Sequence, residues 1–131
     1  MAHADVRNAI ESYLAANWPA TPIAYENVDF TPPADGRFIA LTIHPGQGRI
    51  ASLGDGAPLW RHEGAVMLAC HTPKGVGSVA ALALADQVVA LFRGVVLGGA
   101  RFRAPSVDLD GRDEADFRAV VFLPFWWDQI G

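Results

Sequence analysis

Three histidines in or beside predicted strands are the first candidates for chemistry. His44, His62 and His71 could bind zinc only if their strands brought them together, because zinc needs three or four ligands at about 2 Å in a tetrahedral arrangement. His62 and His71 lie on one predicted strand at positions of opposite parity, so their side chains point to opposite faces unless a bulge intervenes. We therefore interpret these histidines as partly solvated sheet residues rather than as a metal site.

Cys70 is the single cysteine of the chain. It shares one face of its predicted strand with Val66 and Leu68, so we expect a small buried side chain rather than a nucleophile, which would need an accessible, electropositive setting. One cysteine cannot form an internal disulfide, and this excludes a secreted scaffold held together by disulfides. The cysteine content therefore suits a reducing compartment.

A glycine-rich segment, Gly75-Val76-Gly77-Ser78-Val79-Ala80, matches the G-x-G-x-x-A pattern of dinucleotide sites. It follows a predicted strand and opens a predicted helix, where backbone N–H groups could bind a pyrophosphate. The acidic residue expected about 20 positions downstream is missing, and the chain is too short for two mononucleotide-binding halves. The sequence therefore favours a helix-entry turn built from glycines, with a small nucleotide-binding enzyme as the alternative.

Five acidic residues lie close together between two predicted strands: Asp108, Asp110, Asp113, Glu114 and Asp116. An EF-hand needs glycine at loop position six and glutamate at position twelve. Counted from Asp108, Gly111 is fourth and the twelfth position is Ala119, so the register is wrong for calcium. We interpret the run as a solvated hairpin tip, with weak cation binding or an electrostatic contact surface as alternatives.

Two segments have the apolar spacing of amphipathic helices. The first covers residues 4–17 and ends before Pro19, which cannot continue a helix. The second runs from Ser78, the predicted N-cap, to Phe92 and is closed by Arg93 and Gly94. Its apolar stripe, which we expect to cover a sheet, consists of Val79, Leu82, Ala83, Val89 and Phe92.

Alternating apolar residues predict four longer strands, at residues 37–44, 59–71, 101–108 and 117–127. A short edge strand is predicted at 23–25, and residues 95–97 are strand or loop. Pro45 and Gly46 are expected to end the first long strand. Residues 47–58 carry glycines around Ile50 and Leu53, which indicates a mobile loop or a loose strand pairing.

The last predicted strand, residues 117–127, is apolar on both faces. Two helices can cover one face of a sheet, so its second face needs another cover. A partner subunit could supply it, or Trp126 and Trp127 could pack beneath long loops of the same chain. Both interpretations stay open at this point.

Composition limits the class of protein. The chain has 131 residues, of which 51% are hydrophobic and 18% charged, and this excludes a disordered or coiled-coil chain. A formal net charge of −4 disfavours sequence-specific nucleic-acid binding. Asp86 in the middle of the apolar segment 79–97 disfavours a membrane span, and the first residues lack the features of an export signal.

Together these elements predict an α+β fold. Two helices are expected to pack on a mostly antiparallel sheet of four to five strands, as a single two-layer domain formed by residues 1–131.

Two groups of residues are characteristic: Tyr25-Glu26-Asn27 followed by Phe30-Thr31-Pro32-Pro33, and the turn Pro73-Lys74-Gly75 into a helix with Ala83, Ala85 and Asp86. With these segments the chain resembles small phage and prophage tail-terminator-like proteins of the minor tail protein U type. The resemblance covers nearly the whole chain. It implies a non-enzymatic α+β protein that caps the growing tail tube as a hexameric ring and faces the head-completion proteins.

The resemblance also implies the partners: further copies of the chain, the tail tube protein and a head-completion or connector protein. It implies no cofactor, metal or catalytic residue, and a place in the host cytoplasm during assembly and at the head-proximal end of the virion tail afterwards. A head–tail connector or stopper ring is the main alternative. Exposure arguments select the candidate assembly residues Ile50, Leu53, Phe125, Trp126 and Trp127.

Overall fold

A computed structural model describes residues 3–53, 56–110 and 116–130 of the chain. The elements in chain order are α1 (His3–Asn17), β1 (Ile23–Ala24), β2 (Phe38–Ser52), β3 (Leu59–Pro73), α2 (Ser78–Phe92), β4 (Val96–Leu97), β5 (Ala100–Phe102), β6 (Ser106–Asp110) and β7 (Asp116–Ile130). The strands form one sheet in the order β1-β2-β3-β7-β5-β4, and β6 pairs with β7 beside this path. The predicted α+β class, with two helices on a sheet, is confirmed.

The sheet is larger than predicted and mixed. Over the described residues it has seven strands instead of four to five, and there β1 runs parallel to β2 while the other pairings are antiparallel. Gly98 and Gly99 both have positive φ, at 56° and 87°, and they form the tight turn that makes β4 and β5 a hairpin. The predicted strand at 101–108 is divided into β5 and β6 around Pro105, which has no N–H for a ladder.

The core lies between the helices and one face of the sheet. Alternate residues of β2, β3 and β7 are buried on that face, as the alternation in the sequence predicted. The buried residues of these three strands include Ile39, Leu41, Ile43, Val66, Leu68, Cys70, Ala119, Val121 and Leu123. From the helices, α1 contributes Val6, Ile10 and Leu14. The two helices also contact each other, because the Tyr13 hydroxyl donates to the Leu91 carbonyl at 2.7 Å.

Helix α2 begins and packs differently from the prediction. Gly77, not Ser78, occupies the N-cap position, and no side chain caps the helix. Val79 is 77% exposed and Ala83 is also exposed, whereas the buried stripe consists of Ala81, Leu84, Ala85, Val88, Val89 and Phe92. The prediction is confirmed for Val89 and Phe92, which are buried, and Leu82 is half-buried against the core, whereas Val79 and Ala83 are not part of the buried stripe.

The glycine-rich segment is a helix-entry turn, as the favoured interpretation predicted. Gly75 and Gly77 have φ of 91° and 85°, a region that glycine enters without strain. Strand β3, which precedes the turn, is antiparallel to both of its neighbours. The parallel strand pairing of a dinucleotide-binding βαβ unit is therefore not present at this turn.

The outer edge of β2 is covered by an ion pair of side chains. Ile43 donates its backbone N–H to the Glu26 carboxylate at 2.6 Å, and Arg7 donates to the Ile43 carbonyl at 2.9 Å. Arg7 and Glu26 also contact each other at 2.9 Å. Burial raises the pKa of Glu26, but the hydrogen bonds from Ile43 and Arg7 outweigh it and hold the pKa below its ordinary value.

Glu26→Gln should lower the free energy of unfolding at pH 7 by about 1 kcal/mol, because a charge-assisted bond is lost at a partly exposed site. Since folding lowers the pKa of Glu26, its contribution is fully present above the ordinary pKa of a glutamate side chain and is lost as pH falls through the lowered pKa. Urea unfolding from pH 7 to pH 3 should therefore show the two proteins converging in acid. A gap that persists at pH 3 would contradict this account.

Candidate assembly surfaces

Strand β2 leaves the body of the fold half-way along its length. Its residues alternate in burial up to Ile43, and every following residue of the strand is exposed. The first residues of β3 pair with this part of β2, and the last residues of β7 pair with those of β3. We call this three-stranded extension, residues 46–53, 59–64 and 126–130, the arm.

The expectation that Pro45 and Gly46 end the strand is wrong because the ladder continues past them through a bulge. The pairing with β3 shifts between Pro45 and Gly48 and again between Ile50 and Ser52. Proline is tolerated where its missing N–H falls at a bulge or a sheet edge. A Cβ on Gly46 would collide with the backbone carbonyl of Glu63, so the close approach of the two strands requires glycine.

The end of the arm is apolar. Ile50 is 49% exposed, Leu53 81% and Ile130 75%. These three side chains, which we call the arm tip, come from β2, the residue after β2, and β7. All three lie at the same end of the arm, because Ser52, Leu59 and Ile130 are aligned across the three strands, and Ile50 and Ile130 are on opposite faces. Exposed apolar side chains grouped in this way are typical of a contact surface.

Aromatic rings hold the arm to the body where the two meet. The rings of His62 and Trp127 stack with centroids 4.2 Å apart, and the ring of His3 meets both edge-on at 5.0 and 5.2 Å. His62 also lies 3.2 Å from the Gln129 side-chain oxygen. The first residue of α1 therefore covers the helix-side face of the arm at its base.

Arginines surround Trp126 on the opposite face of the sheet. The guanidinium carbons of Arg61 and Arg101 lie 4.1 and 5.4 Å from the centroid of the Trp126 ring, at cation–π distance. Arg61 also donates to both carboxylate oxygens of Asp128, at 2.8 and 3.0 Å. These hydrogen bonds hold the pKa of Asp128 below its ordinary value and raise the pKa of Arg61.

Glu63 completes this cluster, with Arg49 and Arg103 each 3.4 Å from its carboxylate. Four arginines thus share two carboxylates, so the cluster carries net positive charge in a chain whose formal net charge is −4. We call it the basic patch; its members are Arg49, Arg61, Glu63, Arg101, Arg103, Trp126 and Asp128. Partly exposed charges of this kind contribute more to recognition of a partner than to stability.

A cavity of about 300 Å³ lies between the start of α1 and the base of the arm. Its apolar wall is made of Val6, Ile43, Phe125 and Trp127, and exposed residues at its edge include Ala4. The lining is mostly apolar, with His3, Arg7 and Glu63 as its polar residues, and no described cluster of three or more His, Cys, Asp or Glu residues could hold a metal ion. Its surface therefore suits an apolar group.

The candidate assembly residues separate into three environments. Ile50 and Leu53 lie exposed on the arm, as the exposure argument expected. Phe125 and Trp127 are only 4% and 2% exposed, so the expectation of exposure is wrong for both. Trp126 is half-buried in the basic patch. Ile130 was missed because the alternation of the last strand continues beyond residue 127, where the prediction ended it.

A model of the phage tail terminator protein family matches residues 5–103, from the first turn of α1 to just beyond β5. The chain belongs to the phage tail terminator family. Proteins of this family are structural components of phage tails. The resemblance noted in the sequence is thereby confirmed, and the matched residues include β2 and β3, two of the three strands of the arm.

Two solved structures are similar to this tail terminator over nearly its whole length. One, a protein whose name states no function, has a TM-score of 0.73 and 28% identity, with 98% of this chain and 96% of that chain covered. The other belongs to the virion of a native gene transfer agent particle and has a TM-score of 0.56, 19% identity and the same coverage. The second likeness concerns the fold alone. A search of curated protein sequences found no match.

The structure also shows the surroundings of Cys70 and of part of the acidic run. Burial raises the pKa of the Cys70 thiol to about 12, so it is protonated near neutral pH, as expected of a buried side chain rather than a nucleophile. Asp108 is exposed on β6, whereas Asp113 and Glu114 of the acidic run lie outside the described residues.

Within the described ranges, neither helix is long and apolar enough to cross a membrane.

Substitution of the two neighbouring tryptophans should separate packing from surface roles. Trp127→Ala removes a buried ring and should lower the free energy of unfolding by about 3–5 kcal/mol. Trp126→Ala removes a half-buried ring and its cation–π contacts, with an expected loss of about 1 kcal/mol. Chemical denaturation monitored by circular dichroism measures both. Equal losses, or a larger loss for Trp126→Ala, would contradict the placement of the rings.

Proposed function

We propose that this tail terminator caps the tail tube and ends its polymerisation without catalysing a reaction, as a hexameric ring whose other face meets the head-completion proteins. The family match over residues 5–103 is the observation that carries the proposal. The structural neighbour from a gene transfer agent virion supports a place in an assembled particle. In this proposal the chain assembles in the host cytoplasm and remains at the head-proximal end of the tail.

The surfaces of the subunit support assembly. A cap must bind its own copies and also the last ring of the tube. It therefore needs two separate contact surfaces of different chemistry. The arm tip is apolar, while the basic patch is charged and lies nearer the body. Identical subunits that associate through unlike surfaces form a closed ring when the rotation between neighbours allows closure.

We assign the contact between copies to the arm tip, since Ile50 and Leu53 are exposed there. The basic patch, which includes Trp126, is then available for the tube or for a head-completion protein. Charged groups at such a surface favour encounter with a partner of opposite charge and discriminate against others. Phe125 and Trp127 are buried at the base of the arm and hold it to the body of the fold.

The proposal predicts a six-subunit mass or a ring formed on the tube. Light scattering over a wide concentration range measures the mass of the purified chain, and negative-stain images of growing tail tubes show whether tubes stop with a ring at one end. The matched control omits the chain from the same tube preparation. A chain that stays monomeric and leaves tube length unchanged would overturn the proposal. A ring that binds head connectors but not tubes would favour a stopper instead.

A further inference from the structure

We infer that the arm tip of one copy seats in the cavity at the start of α1 of the next copy. This inference rests on the proposed ring and names the contact that would join its subunits. It assigns the arm tip as the inserted group and the cavity lined by Val6, Ile43, Phe125 and Trp127 as its receptor. The partner is a second copy of the same chain.

The cavity and the arm tip agree in size and chemistry. An apolar cavity of about 150 Å³ in a protein can hold a benzene molecule. The cavity beside α1 has about 300 Å³, which is enough for one or two aliphatic side chains. Leu53 and Ile130 are the most exposed large aliphatic side chains at the arm tip, at 81% and 75%. Insertion would remove their apolar surface from water.

The charged groups at the cavity already have partners in the same chain. Arg7 is held by Glu26 and the Ile43 carbonyl, and Glu63 is held by Arg49 and Arg103. An anionic or cationic ligand would have to compete with these pairs. An apolar group can enter without disturbing them, so the cavity favours an aliphatic side chain over a charged small molecule.

The geometry requires two copies for this contact. Pro45 lines the cavity and Leu53 lies beyond the other end of the same strand. At about 3.3 Å per residue, the intervening chain spans on the order of 20 Å even with its bulges. Its ladder to β3 holds this part of β2 extended, so the tip cannot return to the cavity of its own chain. A contact between unlike surfaces on successive copies repeats, and closes into a ring when the rotation permits.

One substitution disables the arm tip, and another disables the cavity. Leu53→Asp places a charge on the arm tip, and Ala4→Trp, at the exposed edge of the cavity, fills it. The matched controls are Val79→Asp, at a comparably exposed valine on α2, and Ala16→Trp, at an exposed alanine near the other end of α1. We expect the first two variants to need at least about tenfold higher concentration to assemble, free or on tubes, and the controls to assemble as the unmodified chain does.

A mixture of the two variants gives the decisive measurement. Leu53→Asp retains an intact cavity and Ala4→Trp retains an intact arm tip, so equal amounts should form one-to-one dimers that cannot grow further. Light scattering should show monomers for each variant alone and dimers for the mixture. A mixture that stays monomeric while the unmodified chain forms rings would overturn the inference.

Cross-linking tests the same contact without removing it. Cys70 is buried, so thiols introduced by Leu53→Cys and Ala4→Cys are the accessible ones. A short bismaleimide should join these two variants when mixed, and should not join Val79→Cys to Ala4→Cys. Circular dichroism checks that every variant is folded. If Leu53→Asp or Ala4→Trp is unfolded, the cross-linking of Leu53→Cys to Ala4→Cys tests the contact in its place.

The outcomes separate this inference from the proposed function. Rings that cap tubes but persist unchanged in both Leu53→Asp and Ala4→Trp, with no cross-link between positions 4 and 53, would refute the contact and leave the capping function in place. An unmodified chain that neither forms rings nor caps tubes would refute the proposed function. Loss of assembly in the two variants, rescue as dimers in the mixture and retention in the controls would support the contact.

Discussion

The antiparallel ladder between β3 and β7 organises both the core and the arm. Every residue from Leu59 to Pro73 pairs with one from Asp116 to Ile130 in a single unbroken register. One half of this ladder lies under the helices and carries the core, and the other half continues outward as the centre of the arm. Because side chains alternate strictly along paired strands, this register decides at once which residues are buried and which remain available for contacts.

The ladder also explains why the arm is stiff enough to present a surface. An isolated two-stranded hairpin is marginally stable in water, whereas a third strand makes a much more stable unit. Here β7 adds that strand on one side of β3, and β2 pairs on the other side. At the base of the arm, a Cβ on Gly64 would lie 2.7 Å from the His44 carbonyl and 2.8 Å from the Phe125 ring. The close approach of the three strands at this position therefore requires glycine.

Two neighbouring residues, Trp126 and Trp127, show how the arm combines stability with recognition. Trp127 stacks on His62 beneath α1, and its burial contributes to the fold. Trp126 lies on the other face, between Arg61 and Arg101, where partly exposed ion pairs add little net stability. The same short segment therefore supplies an apolar anchor to the core and an aromatic centre to the basic patch.

Local patterns in the sequence predicted the positions of both helices and of most strands, and they indicated the family. Periodicity predicted α1 and β3 closely, the parity of Cys70 predicted its burial, and the Glu26 and Pro73 segments indicated the tail terminators. Long-range contacts were needed to show that β2 continues beyond Pro45, that β1 adds a parallel pairing and that distant arginines gather around Trp126. The reason is that alternation shows which residues share a face, while the cover of each face comes from segments far away in the chain.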